Sequence, residues 1–367
     1  MTRDAASTPD HAAEPTRSDA PVVVVTGASA GIGRATATAF GRRGCRIALL
    51  ARGRAGLDGA RRDVEAGGGQ ALVIPTDVSD ADAVFAAAER VVAEWGRIDV
   101  WINNAMATVF GPAEQVPVAE WERVTNTDYL GTVYGTLAAL RHMRPRDAGT
   151  IVQIGSALAY RAIPLQAPYC AAKFAIRGFT DSLRTELSRD GSAIRLTMVQ
   201  LPGVNTPQFA WSRSHMPRRH RPVGAWYQPE AVAEQIVRAA DEAPRELWVG
   251  LPAIQAIVGS ALIPGLLDRY LGANAYEQQM SDTPAPPDHR AILFEPAEAD
   301  HGAHGPFDAG ARTRAMGLDP ALLRGGLALA AVGALAGAFF IGRRSAMSGR
   351  RQALPPARPA RIVQRPC

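Results

Sequence analysis

The chain has 367 residues, 47% of them hydrophobic and 20% charged, which is enough for one large folded domain with appendages. Seven arginines and no acidic residue follow Gly342, so the charge of this tail exceeds the net charge of +5 of the whole chain. The rest of the chain is therefore near neutral, and no nucleic-acid-binding surface is expected on it. Three distant cysteines, Cys45, Cys170 and Cys367, exclude a disulfide framework or paired zinc spacing and favour a reducing compartment.

Short aliphatic runs alternate with helical patterns between residues 21 and 250. The runs begin at Val22, Arg46, Ala71, Asp99, Thr150, Ile194 and Glu246. Continuous apolar strands separated by helices are typical of a parallel sheet that is covered on both faces. We therefore predict an α/β fold, a Rossmann-type doubly wound parallel sheet of about seven strands with helices on both faces. The polar residues 1–20 before it are predicted to be a disordered leader.

A glycine-rich loop, TGASAGIG from Thr26 to Gly33, directly follows the first predicted strand and opens a helix. Glycines in this position allow a tight turn and let backbone N–H groups approach a pyrophosphate. Because the loop lies between a strand and a helix, we favour dinucleotide binding over a turn that binds no ligand.

The residues after the second predicted strand bear on the choice of dinucleotide. An acid about 20 residues beyond the loop would bind a ribose 2′-hydroxyl, but none occurs before Asp58. Arg52 and Arg54 lie there instead and would attract a 2′-phosphate, unless they are only solvated surface residues. The sequence therefore favours NADP(H) over NAD(H).

The single lysine of the chain, Lys173, follows Tyr169 by four residues, whereas the other 39 basic residues counted with it are arginine. Residues four apart share one face of a helix, so a phenol and an ammonium are predicted to lie side by side. An adjacent positive charge favours the phenolate. We therefore expect Lys173 to lower the pKa of Tyr169 and make it an acid and base near neutral pH.

Four ordered motifs resemble the short-chain dehydrogenase/reductase family over residues 21–250. They are TGASAGIG, the NNA at Asn103, Ser156 placed 13 residues before Tyr169, and the YxxxK of Tyr169 and Lys173; PGVNTP from Pro202 also matches. The resemblance implies an NADP(H)-dependent oxidoreductase that transfers hydride between nicotinamide and a carbonyl or secondary alcohol. It makes Tyr169 the acid and base, with Ser156 donating to the substrate oxygen and Lys173 holding the cofactor ribose.

The same resemblance implies a set of cofactor-binding residues. They are Gly27, Ser29, Gly31, Ile32, Gly33, Arg52, Asp77, Val78, Asn103, Ala105, Tyr169, Lys173, Pro202, Val204 and Thr206. Within this set Asp77 and Val78 would lie at the adenine, Asn103 and Ala105 near the ribose, and Val204 and Thr206 at the nicotinamide carboxamide.

Asp128 departs from the family pattern, in which an asparagine supports a proton-relaying water near the lysine. A carboxylate there could hold the same water and strengthen the charge of Lys173, or it could raise the pKa of the tyrosine. Asp128 is therefore included among the catalytic residues. Two rival hypotheses remain: a catalytically silent nucleotide-binding protein with a regulatory or interaction role, and a membrane scaffold that only retains the fold.

Residues 207–230 correspond to the substrate lid of the family. Its large apolar residues could line a pocket or could pack the loop against the core; they are Phe209, Trp211, Met216, Trp226 and Tyr227. The basic run from Arg218 could bind an anionic substrate tail, although a solvated charge run is favoured. We expect a small apolar carbonyl or alcohol substrate, no metal site, and a homodimer or homotetramer paired through the helices that carry Asp128 and Tyr169.

The C-terminal third is predicted to be a helical extension and linker over residues 251–320, an apolar helix over 321–344 and a basic disordered tail over 345–367. The uncharged run 325–342 is long enough to cross a bilayer. The arginines after it would place the tail inside, whereas a nucleotide-dependent domain is expected in the cytoplasm. A tail anchor, a helix on the membrane surface and a helix packed within an oligomer are the alternatives, and membrane association is favoured.

Overall fold

The computed structural model describes residues 19–286 and 291–322. The predicted leader falls mostly outside these ranges, as do the apolar run 325–342 and the basic tail, so those predictions are not tested. In the described ranges, no helix has the length and apolar character needed to cross a membrane.

The strands fall where the apolar runs predicted them, with further short strands between and after them. In chain order they are β1 (Val22–Thr26), β2 (Arg46–Ala51), β3 (Gln70–Pro75), β4 (Val100–Asn103), β5 (Val109–Phe110), β6 (Thr150–Ile154), β7 (Arg195–Gln200), β8 (Gly203–Val204), β9 (Arg213–Ser214), β10 (Arg218–His220), β11 (Trp226–Tyr227), β12 (Glu246–Val249), β13 (Met280–Pro284) and β14 (Gly317–Leu318).

The helices alternate with the strands of the main sheet. They are α1 (Gly31–Gly41), α2 (Arg54–Ala66), α3 (Ala81–Trp95), α4 (Val118–Val124), α5 (Gly131–Met143), α6 (Ala167–Arg189), α7 (Gln208–Trp211), α8 (Pro229–Glu242), α9 (Leu251–Leu262) and α10 (Pro264–Gln278). A π-helical turn, Thr125–Leu130, joins α4 to α5 and carries Asp128.

The main sheet has the strand order β14-β12-β7-β6-β4-β1-β2-β3 among the described residues. Seven of these strands are parallel to their neighbours, as predicted, and β14 pairs with β12 in the antiparallel direction. The helices cover both faces of the sheet. Strands such as Val22–Thr26 and Arg46–Ala51 are therefore buried along their whole length. The two resulting cores are distinct clusters, one on each side of the sheet.

The extension after residue 250 packs on the domain and supplies structure that the sequence did not predict. The compact unit runs to Asp319. Part of the predicted Pro-rich linker is the strand β13, which pairs with β10. Strand β14 adds an eighth strand at the edge of the main sheet. The extension is therefore a component of the fold and not a linker along its length.

The order of strands fixes where a ligand can bind. The chain runs outward from β1 through β2 to β3, then returns to place β4 on the other side of β1. In open parallel sheets, ligands bind at the carboxyl ends of the strands where this reversal occurs. The glycine-rich loop follows β1 and the Asn103–Asn104 pair ends β4, so both lie at this point.

Candidate active site

The glycine-rich loop is held in its tight turn by close backbone contacts. Gly27 and Gly31 adopt positive φ angles of 66° and 56°, which residues with a side chain adopt at a cost. A Cβ atom on Gly33 would lie 2.2 Å from the Gly27 carbonyl oxygen and 2.5 Å from Asn104 Nδ2. These glycines therefore allow the first turn of α1 to approach β1 and β4. The N-terminus of α1 is thereby left accessible to a ligand.

We expect Gly33→Ala to destabilise the protein by about 3 kcal/mol, because backbone atoms at these distances cannot yield as a side chain would. The matched control is Gly178→Ala in α6, where an added Cβ meets no atom within 4 Å. This control should be neutral or stabilising by up to about 1 kcal/mol, since alanine favours the helix. Urea unfolding of the two variants measures the difference, and equal midpoints for both would contradict this interpretation of the loop.

The N-terminus of α1 has unpaired donors that suit a pyrophosphate. Ala30 before it provides no side-chain cap. The Gly31 N–H donates to the Gly302 carbonyl at 3.2 Å, while those of Ile32 and Gly33 have no partner among the described residues. Free N–H groups and the positive end of the helix dipole favour an anion at this position. The structure thus fits the phosphate-binding residues implied by the sequence, with Ser29 also on the cleft wall.

The NNA segment is placed differently from the expectation for Asn103. The Asn103 side chain is buried in a network, accepting from Trp101 Nε1 at 2.8 Å and donating to Thr136 and Gln153. Asn104 donates to the Thr26 carbonyl at 2.9 Å and lines the cleft together with Ala105. Asn103 therefore supports the strand ends, and the neighbouring Asn104 is the asparagine of the cleft.

Arg52 lies on the wall of the cleft at the end of β2, as predicted for a residue near a 2′-phosphate. Its Nη1 donates to the carbonyls of Leu293 and Phe294 at 3.2 and 2.8 Å, and its Nη2 donates to that of Ile292 at 2.6 Å. Its Nε has no partner among the described residues. Burial lowers the pKa of Arg52, and the charge of nearby Arg123 lowers it further.

Asp77 and Val78 line the same cleft after β3. The Asp77 carboxylate accepts from Arg123 Nη2 at 2.7 Å and from the Ser79 amide at 3.0 Å. Burial alone would raise the pKa of Asp77, but these donors hold it below the ordinary value. The carboxylate is therefore paired with Arg123, and its negative charge also acts on Arg52. Arg54 pairs with Asp58 at 3.0 Å on an exposed face and is the solvated residue of the two predicted arginines.

A segment of the extension forms the outer wall of this cleft, which the sequence did not reveal. Five of its residues line the cleft: Ile292, Pro296, Ala297, Ala299 and His301. We call residues Ile292–Gly302 the strap. The strap lies about 80 to 270 positions from its partners in the sequence and has no periodic pattern, so no local signal could have placed it.

The predicted catalytic residues converge beside the cleft. Lys173 is 3% exposed, and its Nζ donates to the Ile154 carbonyl at 2.8 Å and lies 5.4 Å from the centre of the Tyr169 ring. Ser156 follows β6 and forms a side-chain hydrogen bond with Tyr169. Asp128 is fully buried and accepts from the Ala107 amide at 2.6 Å through one carboxylate oxygen, while the other has no partner among the described residues.

The charges of this site are strongly coupled. Burial raises the pKa of Asp128 to about 7, although the positive charge of Lys173 and the Ala107 amide oppose the rise. Burial lowers the pKa of Lys173, and Asp128 opposes that fall. At neutral pH the carboxyl group of Asp128 is therefore divided between its protonated and ionised forms, which suits a group that passes protons.

The expectation that Lys173 lowers the pKa of Tyr169 is wrong for this structure. Burial raises the pKa of Tyr169, the carboxylate of Asp128 raises it further, and the hydrogen bond with Ser156 only partly opposes them. The reason is that Lys173 lies over the ring and donates to a backbone carbonyl, while the phenol is surrounded by groups that disfavour a negative charge. Tyr169 is therefore protonated at neutral pH.

A cavity of about 430 Å³ opens beside these residues and is mostly apolar. Ser156, Tyr169 and Lys173 line it, as do Pro202, Val204 and Thr206 from the segment after β7. Helices α9 and α10 close its far side with Pro252, Ala253, Leu267 and Tyr270, which the sequence did not assign. The cavity has the size and character of a site for a small organic molecule.

The predicted lid residues divide between the two alternatives. Phe209 lines the apolar cavity, whereas Trp211 lines the nucleotide cleft and contacts His301 edge-on at 4.8 Å. The other three pack the loop: Met216 in a cluster with Phe110, Trp226 against Phe307, and Tyr227 in the main core. In the basic run, Arg218 pairs with Glu277 and His220 stacks on Phe110, while Arg221 reaches the cavity wall.

The cleft and the apolar cavity are contiguous. Five residues line both: Ile32, Asn104, Met106, Thr206 and Gln208. A molecule that extends from the N-terminus of α1 along this shared wall would pass from the cleft into the cavity that Tyr169 lines. The arrangement can therefore bring an extended dinucleotide and a small molecule together beside one phenol, one ammonium and one hydroxyl.

Comparisons with known proteins agree with this geometry. The family model described as short chain dehydrogenase matches residues 21–217. The uncharacterized oxidoreductase YxnA of Bacillus subtilis (strain 168) is 33% identical over 278 residues, covering 75% of this chain and 78% of that protein. The cis-4-hydroxycyclohexanecarboxylate dehydrogenase of Sinomonas cyclohexanicum is 35% identical over 227 residues. The match covers 60% of this chain and 90% of that dehydrogenase.

A solved structure carries a nucleotide. A metagenomic short-chain oxidoreductase in complex with NADP is 31% identical to this chain, with a TM-score of 0.51. The match covers 60% of this chain and 90% of that oxidoreductase. The family match spans more than half of the chain and includes the glycine-rich loop, Ser156, Tyr169 and Lys173. The chain therefore belongs to the short-chain dehydrogenase/reductase family and is an NAD(P)-dependent oxidoreductase that acts on alcohol and carbonyl groups.

Proposed function

We propose that this protein transfers hydride between NADP(H) and an apolar ketone or secondary alcohol, with Tyr169 as the proton donor and acceptor. The observation that carries the proposal is the convergence of Ser156, Tyr169 and Lys173 on the wall of an apolar cavity of about 430 Å³ that is contiguous with the nucleotide cleft. When bound, the nicotinamide supplies hydride to the carbonyl carbon or accepts it from the alcohol.

The residues of the chain supply the proton and hold the substrate oxygen. The Ser156 hydroxyl donates to the Tyr169 oxygen, and when a carbonyl oxygen enters, each of the two hydroxyls can rotate to donate to it instead. As the carbonyl gains negative charge, the Tyr169 O–H bond breaks and the proton moves to the substrate oxygen. The Ser156 hydroxyl opposes the rise in the pKa of Tyr169, so it favours the phenolate that remains, while the buried ammonium of Lys173 lies over the ring. Burial keeps Tyr169 protonated at neutral pH, which is the form that donates a proton during reduction.

Asp128 and Lys173 restore the proton. The unpaired oxygen of Asp128 is buried, and its carboxyl group has a pKa of about 7, so it can both release and accept a proton near neutral pH. Lys173 is electrostatically coupled to Asp128 and contacts the Tyr169 ring. We propose that the relay runs from Asp128 through Lys173 to the phenol, in place of the asparagine-supported relay of the family.

The preference for NADP(H) is supported by the charges at the end of β2. Arg52 lines the cleft with an Nε–H that has no partner among the described residues. Arg123 pairs with Asp77, and Asp58 is already paired with Arg54. A 2′-phosphate at this point would meet the Arg52 guanidinium, on which Asp77 and Glu295 also act, and Arg52 stands where NAD-specific sites place a carboxylate.

Cofactor choice is tested by comparing kcat/KM for NADPH and NADH in the wild type and in Arg52→Ala. We expect the wild type to prefer NADPH, and Arg52→Ala to reduce that ratio by about 10- to 100-fold through KM, the effect of losing one charged hydrogen bond. Arg54→Ala is the matched control and should leave the ratio unchanged, since Arg54 pairs with Asp58 on an exposed face. A wild type that uses NADH as well as NADPH would refute the preference.

The lining of the cavity supports an apolar substrate. Phe110, Phe209, Leu267 and Tyr270 contribute apolar surface, and the cationic side chains of Arg161 and Arg221 are placed on its wall. Arg161 pairs with Asp268, and Arg221 donates to the Gln278 carbonyl. We propose a cyclic or branched ketone as the substrate class, and a screening panel should include members with and without a carboxylate.

Pairing of two chains is proposed through α5 and α6. These helices expose Leu137 and Phe174, which are 44% and 43% exposed. Exposed apolar side chains on the helices next to the active site suit a helix-to-helix interface. Light scattering of the purified protein should give at least twice the mass of one chain, and a monomeric mass would refute the interface.

A further inference from the structure

The strap, residues Ile292–Gly302, forms the outer wall of the cleft that the proposed function assigns to NADP(H). It lies outside the range 21–217 that matches the family model. Its contacts with the domain fall into two groups, one at each end of the adenosine half of the cleft. The role of the strap depends on which donors of the cleft each group of contacts uses.

The first group lies at Arg52. Three successive carbonyls of the strap, those of Ile292, Leu293 and Phe294, accept from its two terminal nitrogens. Arg123 Nε donates to the Leu293 carbonyl at 3.0 Å, and the Leu293 side chain is buried with Val109, Val116 and Val124. These contacts use three of the five N–H donors of Arg52 and leave the Nε–H and one Nη2–H without a described partner, so the strap orients the guanidinium and leaves donors for a ligand.

The second group lies at the mouth of α1. Asp300 accepts from Arg34, whose side chain is buried on α1, and from Arg62 at 3.2 Å. The Gly302 carbonyl accepts from the Gly31 N–H, the first donor of the helix N-terminus. The strap therefore ends directly beside the two donors that remain for a pyrophosphate, those of Ile32 and Gly33.

The surface of the domain under the strap is shaped to receive it. A Cβ atom on Gly53 would lie 2.7 Å from the Ala297 carbonyl oxygen, and one on Gly59 would lie 2.1 Å from Asp300 Oδ2. Both glycines have ordinary backbone angles, so a tight turn does not require them. Their lack of a side chain allows the strap to lie against α2 with no gap.

We propose that the strap is a retaining element of the cofactor site, latched by the contact of Asp300 with Arg34, and that the bound dinucleotide leaves only when this latch opens. The inference rests on the proposed binding of NADP(H) in the cleft. Strap residues from Ile292 to His301 line the cleft while their backbone is fixed at Arg52 and at Gly31. Both fixed points lie beside predicted phosphate positions, so the strap and the cofactor are bound together and do not compete.

Opening the latch has a defined structural consequence. Without Asp300, Arg34 retains its hydrogen bond to Asp63 at 2.7 Å, so no buried charge is left without a partner and the fold should persist. The strap would remain attached at Arg52 and would be held at the α1 end only by the hydrogen bond between Gly302 and Gly31, without its ion pairs to Arg34 and Arg62. The cofactor would then dissociate faster, whereas its entry would not be slower.

The experiment uses the full chain and measures NADPH dissociation by stopped-flow fluorescence after mixing the complex with excess NADP⁺. We expect Asp300→Ala to increase the dissociation rate by about tenfold, the effect of losing one charged hydrogen bond. The matched control, Asp241→Ala, removes an exposed ion pair with Arg43 on another face and should change the rate less than twofold. Amide exchange in the strap should slow when NADPH binds to the wild type and should slow less in Asp300→Ala.

The other outcomes overturn the inference. If Asp300→Ala has the wild-type unfolding midpoint and releases NADPH at the wild-type rate, the strap does not retain the cofactor. If the variant binds NADPH more tightly because the association rate rises, the strap obstructs the site instead. If neither NADPH nor NADH binds to the wild type, the proposed function itself fails and the inference fails with it.

Discussion

Replacing Tyr169 with Phe is expected to lower kcat for ketone reduction by about a thousandfold, because the substitution removes the proton donor and nothing else. The aromatic ring remains beneath the Lys173 ammonium, 5.4 Å from its centre, and the shape of the cavity is unchanged. Binding of NADPH should therefore be affected less than twofold. Steady-state kinetics combined with a fluorescence titration of NADPH separates the two effects.

The matched control is Tyr134→Phe, since Tyr134 packs against the α3 and α5 side of the sheet, away from the cavity. It should retain wild-type kcat. A Tyr169→Phe variant that keeps more than a tenth of the wild-type kcat would show that another group delivers the proton. Ser156 would then be the first candidate, because it is hydrogen-bonded to Tyr169.

Replacing Asp128 with Asn is expected to change how the stability of the protein depends on pH. The pKa of Asp128 is about 7 in the folded protein and 3.8 in its ordinary state, so the folded state binds a proton more tightly than the unfolded state. Protonated Asp128 therefore contributes to the free energy of unfolding of the wild type. This contribution is largest at the low end of the pH range and is lost as the pH rises from about 4 to 7. The Asn variant has no such group. Between pH 5 and 7 the wild type should lose about 2 to 3 kcal/mol of unfolding free energy relative to the variant.

Urea unfolding at several pH values measures this difference, with Asp190→Asn as the control, because Asp190 forms an exposed pair with Arg144. The control should follow the wild-type curve. The same substitution at 128 removes a charge that raises the pKa of Tyr169, so alcohol oxidation by Asp128→Asn should begin at lower pH than in the wild type. Parallel stability curves for the wild type and Asp128→Asn would contradict the burial of a titrating carboxyl group.

The positions of the sheet strands were predictable because strands buried on both faces require continuous apolar residues. Val22–Thr26 and Arg46–Ala51 lie where such runs occur, and the apolar run from Glu246 proved to be the seventh parallel strand. The placement of Tyr169 and Lys173 side by side was also predictable, since their spacing is a property of one helix. Local periodicity and spacing therefore suffice for the main strands and for the proximity of this pair.

The remaining features depend on contacts that local patterns do not encode. Which of the two asparagines at the end of β4 faces the cleft depends on strand register, and Asn104 does so while Asn103 enters a buried network. The rise in the pKa of Tyr169 depends on burial and on Asp128, which lies 41 positions earlier. The strap is joined to Arg52 across about 240 positions, so only the folded chain reveals it.

The most direct test of the proposed hydride transfer traces the hydride itself. The purified protein is incubated with NADPH carrying two deuterium atoms at the nicotinamide C4 position and with a panel of cyclic and branched ketones, and the masses of the products are measured by mass spectrometry. We expect an alcohol that is one mass unit heavier than the unlabelled product, with the deuterium on the carbinol carbon. Binding of NADPH with no labelled alcohol from any ketone of the panel would contradict the proposed function.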